Sequence, residues 1–198
     1  HRALKEANEK TFNRITVDGD TSTNDMALIF ASGKAGNKTI PAGSPAYRTF
    51  VGKLTDLCLD LAHKIVLDGE GATKFVTIRV QGAKLKTHAH RIAQSVATSS
   101  LVKTALFGQD PNWGRIIAAV GYAGVPVNPD KVEILLNGSL LFKNGVPASG
   151  ASQPALRKKM KSKNIVIAIE LNSGRYSDKV YTCDLSYDYV RINAEYTT

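Results

Sequence analysis

The chain has 198 residues, with 26 Lys and Arg against 17 Asp and Glu, a formal net charge of +9 at pH 7 and 43% hydrophobic residues. That length and balance suit one large or two small globular domains with a real core, and they exclude a disordered tail or a coiled coil. No apolar run approaches the roughly 20 residues of a membrane helix, and two distant cysteines, Cys58 and Cys183, make no disulfide framework.

The two thiols read as those of a protein in a reducing compartment. The opening HRALKEANEK lacks the basic-then-apolar pattern of a secretory leader. Positive charge concentrates at Arg157, Lys158, Lys159, Lys161 and Lys163. Counterion release would let such a cluster touch nucleic acid. No aromatic side chains interleave it, as a single-strand binder requires. It reads as the solvated face of a helix.

In chain order, His1–Lys10 is a short polar helix. TFNRITV (Thr11–Val17) has the β-branched, apolar character of a strand. Asp18–Asp25 (DGDTSTND) is the most polar loop. MALIFA (Met26–Ala31) is a helix start or a buried strand, which periodicity does not decide. Ser44 and Pro45 form a cap and first-turn pair. They open a helix to about Leu67 whose apolar face is Phe50, Leu54, Leu57, Cys58, Leu61 and Ile65.

Phe75–Val80 is a strand, and His88–Leu106 is helical. Asp110-Pro111 caps a further helix ending near Gly121–Gly124. Val132–Leu136 and Ser139–Lys143 flank Asn137-Gly138, a hairpin signal. Ser152–Lys163 is a helix. Asn164–Leu171 and Arg175–Leu185 flank Asn172-Ser173-Gly174 and read as a second hairpin. Tyr187–Glu195 closes the chain. Helices set between runs of strands predict α+β layers rather than a doubly wound parallel sheet.

Three stretches could carry chemistry. Asp68-Gly-Glu-Gly-Ala-Thr-Lys74 follows the C-terminus of the clearest helix, which carries about half a negative charge. Two acids there need a cation. Lys64 or Lys74 supplies it, or the turn takes a cationic ligand such as an alkyl ammonium. A dinucleotide fingerprint fails because Lys74 stands where the third glycine belongs. Asp18–Asp25 could be a site or ordinary turn chemistry. Asp110-Pro-Asn-Trp-Gly-Arg115 reads as a packed anchor for the one Trp. His88 and His90 lack a third metal ligand at a telling distance. No nucleophile elbow occurs. The chain holds no self-sufficient catalytic set.

Four stretches together resemble one family. FNRITVDGDTSTND (Phe12–Asp25), DGEGATKF (Asp68–Phe75), LVKTALFGQDPNWGRI (Leu101–Ile116) and DLSYDYVRINAEYTT (Asp184–Thr198) resemble the β chain of ornithine acetyltransferase, the glutamate N-acetyltransferase of arginine biosynthesis. The matches run in order across nearly the whole chain.

The resemblance implies a layered α/β sandwich of the self-processing type with a β-rich C-terminal part. Residues 1–72 would complete a layer of the α chain, and residues 73–198 would form a C-terminal α+β domain. It implies a precursor that cuts itself into α and β chains and assembles as α2β2 in the cytoplasm. The nucleophile would be the threonine that begins the β chain. It takes acetyl from N-acetylornithine and passes it to glutamate, and some members also use acetyl-CoA. Residue 1 is His, so the threonine is expected upstream and no catalytic nucleophile is assigned among the numbered residues.

Three substrate contacts carry over: Glu70, as partner of an ornithine ammonium, Asn193 and Thr198. No cofactor, metal, nucleic acid or membrane is implied. The alternatives are a related N-terminal-nucleophile aminopeptidase or amidase and, further off, a basic nucleic-acid-binding domain.

Overall fold

The computed structural model describes residues 1–150 and 152–196. Helix α1 (Arg2–Asn8) leads into a 3-10 turn at Phe12–Arg14 where the sequence predicts a strand. The reason is local. The Thr11 hydroxyl donates to the carbonyl of Ala7 at 2.9 Å, and the amide of Arg14 donates back to Thr11 at 2.8 Å. These groups are therefore lost to a ladder. Only Ile15 bridges a strand residue, Tyr181. Met26–Ala31 is neither helix nor buried strand: Met26 and Phe30 are 76% and 89% exposed.

Helix α2 (Pro45–Leu67) has the predicted start, with the Ser44 hydroxyl accepting from the amide of Tyr47 at 3.1 Å. Its buried face differs from the predicted one. Val51, Leu54, Cys58, Ala62 and Val66 are buried, whereas Phe50, Leu57, Leu61 and Ile65 are 44–58% exposed. The helix is apolar on two sides, and among the described residues only one side is covered.

Among the described residues six strands form, β1 (Phe75–Ala83), β2 (Glu133–Leu136), β3 (Ser139–Lys143), β4 (Val146–Pro147), β5 (Asn164–Glu170) and β6 (Tyr176–Cys183), ordered β4-β3-β2-β5-β1-β6. The β2–β3 hairpin forms as predicted, with Asn137 and Gly138 at φ of 43° and 77°. The second predicted hairpin does not. Strand β1 lies between its two arms, parallel to β5 and antiparallel to β6. The connection crosses the end of β1, where Gly82 has φ +69° and a Cβ would stand 2.8 Å from the amide of Asn172. A turn-rich sequence between two strands sets a reversal, not which strands are neighbours.

Helices α3 (Lys86–Thr98) and α4 (Ser100–Phe107) divide the predicted His88–Leu106 helix at Ser99, whose hydroxyl caps α4 at the amide of Val102. Helix α5 (Trp113–Gly121) is capped by Asn112 rather than by Asp110-Pro111. Helix α6 (Gln153–Met160) follows, and Tyr187–Glu195 is a seventh helix, α7. Val76, Ile78 and Val80 of β1, and Ile165, Ile167 and Ile169 of β5, pack with Ala89, Ile92, Ala93 and Val96 of α3 in the main core. On the other sheet face, Val66 of α2 meets Tyr181 and Cys183 of β6. The result is an α+β layered arrangement, with one sheet face fully built and the other covered in part.

The N-terminal turn is tied to the sheet by charge. Arg14 Nε lies 3.1 Å from Asp178 Oδ1, and His90 Nδ1 lies 3.4 Å from Asp178 Oδ2. Burial and the Arg14 charge hold His90 below its ordinary 6.5, and burial does the same for His63. Both histidines take up a proton more readily in the unfolded chain. Their contribution to stability is complete above pH 6.5 and is lost as pH falls below it, down through their lower folded-state values. Tm is expected to drop between pH 7 and pH 5, less so in His90→Gln. A wild-type Tm that is flat across that range would contradict this.

Candidate functional site

Asp68 ends α2, and the chain turns through Gly69–Lys74 into β1. That turn is built against the end of β6 and the start of α7. The carboxylate of Asp184 accepts the amides of Thr73 at 2.8 Å and Lys74 at 2.9 Å, and the Thr73 hydroxyl at 2.5 Å. The Ser186 hydroxyl caps α7 and donates to the carbonyl of Gly71 at 2.6 Å. Gly71 has φ +65°, and a Cβ on it would stand 2.6 Å from both Ser186 Oγ and the Tyr189 amide. Only glycine fits so close an approach.

This packing brings two predicted residues together. Asn193 Nδ2 donates to Glu70 Oε2 at 2.5 Å and to the carbonyl of Tyr189 at 3.0 Å. They are 123 residues apart in sequence. Thr198, the third predicted contact, lies outside the described residues.

The lysines proposed to neutralise the turn are engaged elsewhere. Lys64 pairs with Asp60 at 2.8 Å, and the buried Lys74 donates to the carbonyls of Met160 at 2.9 Å and Ser162 at 3.5 Å. Among the described residues no ion pair involves Asp68 or Glu70. Asp18 Oδ2 accepts the Tyr189 hydroxyl at 3.0 Å. Burial and the Asp18 carboxylate push that hydroxyl up to about 12, and the charges of Asp20 and Glu70 add to the effect. An excess of carboxylates at a helix C-terminus suits a cation. Beside it an open cleft of about 650 Å³ is lined by Phe12, Met26, Leu61, Lys64, Ile65, Leu67 and Asp68. Glu70 and Asn193 are not among its lining residues, nor among those of a second cleft of about 370 Å³ at the far end of β1 near Lys84, His88 and Lys131.

The remaining candidates resolve structurally. In the Asp18–Asp25 loop, Asp18 and Ser22 side chains accept from the amides of Asp20 and Asn24. That is turn chemistry, to which Asp18 adds its bond to Tyr189. Trp113 stacks on Phe142 with centroids 5.3 Å apart, as an anchor. In the basic cluster, Lys159 Nζ donates to Ser139 Oγ at 2.7 Å and to the carbonyl of Asn137 at 3.1 Å, while Leu156 and Met160 face inward. Among the described residues, no three His, Cys, Asp or Glu side chains group as metal ligands.

The family model described as ArgJ family matches residues 1–198. The chain belongs to the ArgJ family. It is 52% identical over 194 residues to the arginine biosynthesis bifunctional protein ArgJ of Desulfotalea psychrophila, covering 98% of this chain and 49% of that protein. It is 48% identical over 197 residues to the protein of the same name from Geobacter sulfurreducens, covering all of this chain and 50% of that protein. The chain thus spans about half the length of the curated relatives it matches. A crystal structure of arginine biosynthesis bifunctional protein argJ from Bacillus halodurans superposes with a TM-score of 0.93 at 43% identity, covering 98% of this chain and 92% of that one. The ArgJ fold and the resemblance read from four sequence stretches therefore agree.

Within this ArgJ chain, sequence reasoning missed Asp184, Ser186 and Tyr189, which build the Glu70 turn, and the buried Lys103 behind them. Asp184 and Ser186 carried a usable signal. An Asp-x-Ser that ends a strand and opens a helix is an N-cap pattern. Its target, a turn 111 residues earlier, has no local signal.

Proposed function

We propose that this chain is the β chain of a glutamate N-acetyltransferase of the ornithine acetyltransferase type, made by self-cleavage of a precursor. The observation that carries the reading is the contact of Asn193 with Glu70 on a turn rich in unneutralised carboxylates. N-acetylornithine has its α-amine acylated and keeps a side-chain ammonium. Glu70 pairs with that ammonium, and Asn193 fixes the carboxylate's orientation. A threonine ahead of residue 1 attacks the acetyl carbonyl once its own α-amine removes the hydroxyl proton. Ornithine leaves, glutamate enters the same site, and its amine takes the acetyl group. Donors from the α chain hold the oxyanion. Acetyl-CoA serves as a further donor. The chemistry needs no cofactor.

Two facts support a partner chain. Relatives carry about as many residues again as this chain matches. Phe50, Leu57, Leu61 and Ile65, with Met26, Leu28 and Phe30, leave a large apolar surface uncovered. The α chain covers it, residues 1–72 complete the shared layer, and the assembly is α2β2. The setting is cytoplasmic. Among the described residues no helix is long and apolar enough to cross a membrane.

The test is acetyl exchange by the complete α/β protein, with N-acetylornithine and labelled glutamate. Labelled N-acetylglutamate is the expected product. Free acetate without N-acetylglutamate would replace this reading with an amidase, and no acetyl release at all would end it.

A further inference from the structure

Two buried charges lie behind Glu70, and the proposed chemistry leaves both without a role. Lys103 on α4 and Asp184 after β6 are each 2% exposed. Burying one uncompensated charge is strongly unfavourable. Yet no carboxylate lies within 4.0 Å of Lys103 among the described residues. Each charge spends its hydrogen bonds on a different segment. Lys103 Nζ donates to Thr182 Oγ1 at 3.1 Å, to the carbonyl of Cys183, and to Cys183 Sγ at 3.6 Å. It so fixes the last residues of β6. Asp184, the next residue, takes three bonds from Thr73 and Lys74 and so fixes the turn that presents Glu70.

The lysine holds further groups nearby. The amide of Leu185 donates to the carbonyl of Lys103 at 3.2 Å. The Cys183 thiol reaches the carbonyl of Val17 at 3.7 Å, beside the Asp18 that holds Tyr189. Burial lowers the Lys103 pKa; Cys183 beside the ammonium opposes that lowering most, followed by the charges of Asp184 and Asp18. Lys103 holds the carbonyl of Cys183 and Asp184 is the next residue, so the two charges are joined through one peptide unit rather than by a direct contact.

We propose that Lys103 and Asp184 form a separated buried ion pair that positions Glu70 and so sets how tightly the site grips the ammonium end of the donor substrate. Both are positioning residues, because neither side chain faces the cleft. The inference rests on the acetyltransferase reading. It deepens that reading by giving the donor half-reaction its own structural control. Glutamate, the acceptor, has no side-chain ammonium, so its binding does not draw on Glu70.

The test is a double-mutant cycle in the complete protein, with Asp184→Asn, Lys103→Met and the pair together, and KM measured for each substrate. Asp184→Asn is expected to raise KM for N-acetylornithine about tenfold, as the loss of charge-assisted hydrogen bonds demands. Lys103→Met moves it in the same direction. The KM for glutamate stays within about twofold, and the double variant shows less than the product of the single effects. Thr73→Val removes one bond to Asp184 from an exposed turn and serves where a buried variant does not fold. About a threefold rise for N-acetylornithine alone is expected from it. Equal rises for both substrates, strictly multiplicative effects, or an unchanged KM in Thr73→Val would overturn the proposal. Melting gives a readout independent of turnover: the double variant is expected to lose less Tm than the two single losses combined, and additive losses would overturn the pairing. A wild type without acetyl transfer would end the acetyltransferase reading, while the melting cycle would still judge the pair.

Discussion

Glu70→Gln is expected to raise KM for N-acetylornithine by about thirtyfold, equivalent to roughly 2 kcal/mol, with the fold intact. Glutamine keeps the shape and one oxygen for Asn193, so the contact at 2.5 Å can persist. What disappears is the charge proposed to meet the substrate ammonium. The side chain is exposed, so the change in stability is expected within about 0.5 kcal/mol. The KM for glutamate should hold or fall, because one anion fewer faces an acidic substrate. Steady-state kinetics with each substrate, alongside a melting curve, decide the matter. An unchanged KM for N-acetylornithine would remove Glu70 from the site.

Gly71→Ala should damage both stability and the site. The backbone there has φ +65°, and the added methyl would stand 2.6 Å from the Tyr189 amide, a backbone atom that cannot swing aside. The left-handed conformation alone costs about 1–2 kcal/mol for a side-chain-bearing residue. With the forced displacement of α7, a Tm loss of about 4–8 °C follows for a chain of this size. Moving α7 also moves Asn193 away from Glu70, so the rise in KM for N-acetylornithine should be at least about tenfold. Gly138→Ala is the control. It has φ +77° and nothing within 4 Å of the new Cβ. It should lose stability through the backbone alone and keep activity. If Gly71→Ala matched that control in activity, the turn would not be part of the site.

The helices and turns whose causes are local were legible in the chain. Ser44-Pro45 announces α2, and Asn137-Gly138 announces the β2–β3 hairpin, because a cap or a positive-φ pair acts within four residues. Thr11–Val17 failed for a related reason. Its β-branched composition favours a strand, but the Thr11 hydroxyl finds the end of α1 first. The two-sided apolar surface of α2 misled the assignment of its buried face. Phe50, Leu57, Leu61 and Ile65 repeat with helical spacing just as the covered residues do, and periodicity does not say which partner a face meets.

The site divides along the same line. Charge and helix polarity mark Asp68 and Glu70 together, because acids at a helix C-terminus are unfavourable without a cation. The resemblance singles out Glu70 and adds Asn193 and Thr198. By itself the sequence determined the family, through four ordered motifs, and the local elements whose hydrogen bonds close within a turn. Only the tertiary structure decided that β1 separates β5 from β6, that Lys64 and Lys74 bond elsewhere, and that Asp184 and Ser186 hold the Gly71–Lys74 turn against α7. Those outcomes depend on which distant groups compete for the same buried donors and acceptors, a competition settled only when the layers pack.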